Sequence, residues 1–126
     1  MLTLIIRISE RRFRMTADQK FNVFFETDSE LAEWEAENRG WRNDVYVAIN
    51  DDIFRLNIYT PTRLLQDYET EIKDYGYYPI DCNIVLVPYA KKETIIATIH
   101  KLVEQGYFRE IKPYSGRNIE QLSRVY

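Results

Sequence analysis

Residues 45–59 read Val45-Tyr46-Val47-Ala48-Ile49-Asn50-Asp51-Asp52-Ile53-Phe54-Arg55-Leu56-Asn57-Ile58-Tyr59, and their pattern decides the fold. Val45, Val47 and Ile49 alternate with Tyr46 and Ala48, and Phe54, Leu56 and Ile58 alternate with Arg55 and Asn57. A period of two places each apolar set on one face of a strand. Asn50, Asp51 and Asp52, between the two runs, are residue types that tolerate a tight turn. The stretch predicts a β-hairpin in which residues 45–49 pair with residues 53–59.

Downstream, Thr60-Pro61 ends the second strand and opens a helix. Threonine suits the cap, and proline suits the first helical position, where an N–H is not needed. Leu64, Leu65, Tyr68 and Ile72 recur at helical spacing as far as Tyr75, and Gly76 stops the run. Residues 83–87 form a continuous apolar run that predicts a strand buried on both faces and therefore central in the sheet. Ile95, Ile96, Ile99, Leu102 and Val103 predict an amphipathic helix ended by Gly106. Residues 107–111 predict a last strand, and residues 118–125 a short closing helix.

Upstream, residues 2–8 predict a first strand, followed by the basic stretch Glu10-Arg11-Arg12-Phe13-Arg14. Phe21, Val23 and Phe25 share one face of a second strand. Thr27 and Glu30 have the spacing of a capping box, which predicts a helix from that point to Gly40. Leu31 and Trp34, with Ala32, are expected to face the core, and Glu33, Glu35 and Glu37 to point outward. Strands and helices are interleaved, but the hairpin and the short connections disfavour a doubly wound parallel sheet. The expected fold is α+β: a mostly antiparallel sheet with helices packed on one face, a sandwich forming a single domain over residues 1–126.

Charge is segregated along the chain. Residues 18–90 carry fifteen acids against six basic residues, whereas the flanks 1–17 and 91–126 are each about +3, within an overall charge of −3. Such a middle is a poor nucleic-acid surface, because that binding depends on Lys and Arg neutralising phosphates. It suits a basic protein, whose complementary field speeds encounter. Solvated helix faces carry the same acids, so the two readings stand side by side. The apolar run 2–8 is interrupted by Thr3 and Arg7 and lacks the flanks of a signal peptide or the length of a membrane span. With a single cysteine, the expectation is a cytoplasmic protein that contacts neither membrane nor nucleic acid.

Reactive groups are sparse. His100 is the only histidine and Cys82 the only cysteine. A structural zinc site normally takes four ligands, so no metal and no cofactor is expected. His100 falls off the Ile95–Ile99–Leu102 stripe and should be partly exposed. Cys82 precedes the predicted central strand and is expected to be a packing residue. Acid pairs such as Asp51 with Asp52 lie in turn or surface settings rather than in the apolar clefts that raise a carboxyl pKa. The expectation is therefore a protein that is not an enzyme and has no catalytic residues.

A tyrosine-rich, acidic surface remains. Ten tyrosines are present, densest in Asp74-Tyr75-Gly76-Tyr77-Tyr78-Pro79. Tyrosine provides large contact area at small entropic cost and is common at binding hot spots, though tyrosines also cap cores with the hydroxyl in water. The candidate partner-binding residues are Glu33, Glu37, Asp51, Asp52, Asp74, Tyr75, Tyr77 and Tyr78.

The hairpin strand 51–59, the Thr60-Pro61-Thr62-Arg63-Leu64 turn, the strand Ile84-Val85-Leu86-Val87-Pro88-Tyr89 and the helix from Glu93 to Gln105 together resemble small bacterial immunity proteins, especially the immunity protein eight group. The resemblance covers residues 45–106. It implies an α+β protein that binds and neutralises a toxin domain, often a nuclease, delivered by neighbouring or sibling cells. The implied partner is a cognate toxin domain, basic where it holds phosphate. The alternative is a small ligand-binding or enzymatic α+β domain with a pocket near Cys82, His100 and Tyr89.

Overall fold

A computed structural model describes residues 19–126. The strand expected at residues 2–8, and Arg11, Arg12 and Arg14, lie outside the described residues. The elements run β1 (Asn22–Phe25), α1 (Glu30–Arg39), β2 (Trp41–Ile49), β3 (Asp52–Tyr59), α2 (Pro61–Tyr75), β4 (Ile84–Leu86), α3 (Lys92–Glu104) and β5 (Ser123–Arg124), with 3-10 turns at Tyr107–Arg109 and Ile119–Gln121. The sheet order is β4-β3-β2-β1-β5. Every neighbouring pair is antiparallel except β3 and β4, which α2 connects as a crossover. The architecture is the α+β fold with a mostly antiparallel sheet that the hairpin pattern predicts. No described helix is long and apolar enough to cross a membrane.

The expected hairpin forms, but its turn is two residues long: Asp52 belongs to the strand and lies opposite Ile49, and Val45 lies opposite Leu56. Asn50 turns the chain at φ 56°, a left-handed conformation that asparagine tolerates better than most residues. Val23, Phe25, Val45, Val47, Ile49, Phe54, Leu56 and Ile58 cover one face of the sheet and pack against Ile95, Ile99 and Val103 of α3 and against Phe108. An irregularity in the ladder between Arg42 and Val45 leaves both residues on this core side. Arg42 is only 5 % exposed, with its guanidinium 3.7 Å from the centre of the Phe25 ring. Asp44 Oδ1 and the Thr27 carbonyl accept from it at 2.8 and 2.7 Å.

Several local expectations are corrected. β4 is an edge strand of three residues rather than a central one, and Leu86 is 50 % exposed. A continuous apolar run reads alike whether both of its faces are covered or one is left open. Residues 107–111 do not form a strand: Gly106, at φ 75°, turns the chain into a 3-10 turn that sets Phe108 against Phe54 at 5.2 Å. Residues 118–125 contain one 3-10 turn instead of a closing helix, after which Ser123 and Arg124 pair with Phe25 and Phe24.

In α1 the cap is Ser29, whose hydroxyl accepts the Ala32 N–H, rather than Thr27. Leu31 and Trp34 are both 64 % exposed, and Ala36 is the buried residue. Its small side chain lets the helix approach, and the half-buried Glu33 faces α3. Gly40 ends α1 at φ 68°, and the Thr60 N–H donates to its carbonyl at 2.8 Å. A Cβ at Gly40 would meet Thr60 Oγ1 at 2.5 Å, so no larger residue fits this junction.

Candidate functional site

α2 forms for local reasons. Thr60 Oγ1 accepts the Arg63 N–H at 3.3 Å, Pro61 occupies the first turn, and Gly76 ends the helix at φ 80°. Leu65, Tyr68, Ile72 and Tyr75 follow at intervals of three and four and so form one stripe. That stripe faces solvent: Leu65 is 56 % and Tyr75 67 % exposed, and no residue of α2 is buried.

The helix meets the rest of the molecule along a different flank. Arg63 lies over the Trp41 ring at 5.7 Å, donates to the Arg39 carbonyl at 3.4 Å and pairs with Asp67 at 2.9 Å. Trp41 is opposite Tyr59 in the ladder, on the sheet face away from Ile58 and the core. Arg63 is roughly 150° around the helix from the centre of the stripe, so the apolar residues turn away from β2. Past Gly76, Tyr77 and Ile80 extend the exposed apolar area. Residues 64–82 hold Asp67, Glu69, Glu71, Asp74 and Asp81 against Lys73 alone. The surface is apolar and aromatic along its middle and strongly acidic around it.

The predicted partner residues divide among three places. Asp74, Tyr75 and Tyr77 are exposed on this surface. Tyr78 is partly buried beside Tyr59. Burial first, and the Tyr78 phenol second, push the Tyr59 hydroxyl up to about 12. Asp51 and Asp52 are exposed at the hairpin tip. Glu33 and Glu37 lie on α1 at the opposite end of the sheet, about 26 Å away along β2. Both are engaged there: Glu33 Oε1 accepts the Lys92 N–H at 2.9 Å, and Glu37 is 3.4 Å from Lys91. The eight residues therefore do not make one continuous face. Leu65, Tyr68, Ile72 and Ile80 are exposed as well, which helical spacing cannot reveal because it does not distinguish a core stripe from a solvent-facing one.

The pocket expected near Cys82 and His100 is corrected. Cys82 is exposed ahead of β4, and its carbonyl accepts from Asn57 Nδ2. His100 is half-buried, with Phe21 and Tyr126 edge-on at 4.7 and 4.8 Å beside β1. β2 and β3 lie between those strands, a separation of about 14 Å in strand spacings. The hollow of about 230 Å³ beside Tyr89 is lined by Glu37, Thr60, Arg63 and Gln66 among others, and neither Cys82 nor His100 reaches it. Among the described residues no group of three or more His, Cys, Asp or Glu side chains is placed to hold a metal ion.

Comparison of the chain with protein-family models, with curated proteins and with solved structures gives no match. The fold and this surface define an α+β protein that presents an acidic, aromatic helix to solvent.

Proposed function

We propose that this chain is an immunity protein that neutralises a basic toxin domain by stoichiometric binding, with α2 and the loop after it facing the partner. The uncovered apolar stripe of α2 within a ring of carboxylates carries this reading. Leu65, Tyr68, Ile72 and Tyr75 supply apolar and aromatic contact area of the kind that dominates interface energetics. Glu69, Glu71 and Asp74 supply a field that draws in a basic surface and disfavours a second copy of this acidic one. A nuclease active site, basic because it holds phosphate, is a target such carboxylates can occupy. The encounter takes place in the cytoplasm of the cell that makes the protein. Co-expression with the C-terminal domain of a toxin encoded immediately upstream tests the reading. Growth rescue and a one-to-one complex are expected, and rescue unaffected by substitution of Tyr68 and Ile72 would remove α2 from the interface.

A further inference from the structure

Among the three described α-helices, α2 alone is charged against its own dipole. α1 begins with Glu30 and Glu33 and ends with Arg39, and α3 begins with Glu93 and ends with Lys101. Both place acids at the positive end of the helix and a cation at the negative end. α2 has no acid in its first turn. Its last turn holds Asp74 beside Lys73, and Glu71 comes immediately before that turn. Asp67 and Glu71, four residues apart, add a like-charge pair on one side of the helix. Arg63 pairs with Asp67, and Lys73 has the spacing that pairs it with Glu69, so the helix has no cation of its own left for Glu71 and Asp74.

Tertiary packing does not offset this pattern. None of residues 61–82 is buried, whereas Val45, Val47, Leu56 and Ile58 of β2 and β3 are fully so. The segment is fixed at its two ends. The Thr60 N–H donates to the Gly40 carbonyl at 2.8 Å, and the Asn57 N–H donates to the Asn83 carbonyl at 3.0 Å. Between these anchors it touches the sheet through Arg63 on Trp41 and through Tyr78 beside Tyr59. A helix of about 15 residues is marginal in water unless packing supports it. Segments with few buried contacts open at free energies far below that of global unfolding.

We infer that α2 is a strap that opens and recloses between its two anchors in the free chain, and that positive charge brought to its C-terminal half closes it. A basic surface laid against Glu71 and Asp74 supplies the cation that the helix lacks, so helix order is coupled to the arrival of the partner. The coupling rests on the reading of α2 as the partner-facing surface and specifies how that surface responds.

The test is amide exchange in NMR spectra of the full chain at low ionic strength. In the free chain, amides of residues 65–75 are expected to exchange about a hundredfold faster than the slowest amides of β2 and β3. Asp74→Lys, which reverses the charge at the negative end, should slow the α2 amides about fivefold and leave those of β2 and β3 unchanged. Deca-lysine should slow them in the wild-type chain and have less effect on Asp74→Lys. Amides of α2 that exchange as slowly as those of β2 and β3 would overturn the inference. Equal α2 rates in Asp74→Lys and wild type, or no response to deca-lysine, would overturn it too. None of these results bears on growth rescue, so the immunity reading would stand or fall separately.

Discussion

The backbone N–H of Lys92 donates to Glu33 Oε1 at 2.9 Å, so a side chain of α1 caps the first turn of α3. The residue before that helix, Lys91, supplies no side-chain cap of its own. A helix N-terminus leaves backbone donors without intrahelical partners, and a carboxylate there also meets the positive end of the dipole. Glu33→Ala is expected to lower stability by about 1 kcal/mol in urea unfolding, the usual cost of a lost cap. Glu33→Gln should retain part of the effect through its amide oxygen. Neither change should alter association with a partner that docks on α2.

Among the described residues Arg42 is the buried cation, held between Asp44, the Thr27 carbonyl and the Phe25 ring. Arg42→Ala is expected to cost about 3 kcal/mol, because Asp44 is then left partly buried without its counter-charge. Arg42→Lys should recover less than half of that loss. An ammonium cannot lie flat on the ring while bonding in a fork. Denaturant midpoints of the two variants check both statements.

The exposed stripe predicts a separation of stability from binding. Leu65→Ser and Ile72→Ser should each change stability by less than about 0.5 kcal/mol, as expected of surface positions. Ile95→Ala, in the core, should cost about 2–5 kcal/mol. Partner affinity should respond in the opposite order, falling about 30-fold for Ile72→Ser and little for any Ile95 variant that still folds.

Charge predicts rate. Reversing Glu69 and Asp74 together to lysine is expected to slow association with a basic partner about tenfold at low ionic strength, with the difference closing as salt screens the field. Reversing Asp51 and Asp52 should slow it less, since those acids belong to the hairpin and not to α2. Stopped-flow association at two salt concentrations distinguishes the pairs.

Tyr59 makes alkaline stability informative. Its hydroxyl is raised to about 12 in the folded protein against an ordinary 10, because burial disfavours the phenolate and Tyr78 adds to the effect. Between those values the unfolded chain has lost the proton and the native protein keeps it. Stability is therefore complete below pH 10 and falls as the pH rises toward 12. Tyr59→Phe should flatten that part of the curve of thermal midpoint against pH.

Local sequence determined the elements whose cause is local. The period of two in residues 45–59, with Asn50 able to adopt a positive φ, is enough to make the hairpin, and Thr60-Pro61 with Gly76 sets both ends of α2. Tertiary structure decided which faces are covered. The spacing of Leu31 and Trp34 reads as a core face, yet the packing of Ala36 and the Glu33–Lys92 bond turn both outward. The stripe on α2 reads the same whether it meets a core or solvent, and only the Arg63–Trp41 contact shows that the helix rests on another flank. Residues 83–87 were legible as a strand, but their edge position depends on strand order. Asp74, Tyr75 and Tyr77 could be found in the sequence because they cluster along it. The separation of Asp51 and Asp52 from Glu33 and Glu37 could not, because it is set by the length of β2 between two ends of a sheet. Hydrophobic period records that a face is apolar, and only the assembled fold determines what lies against it.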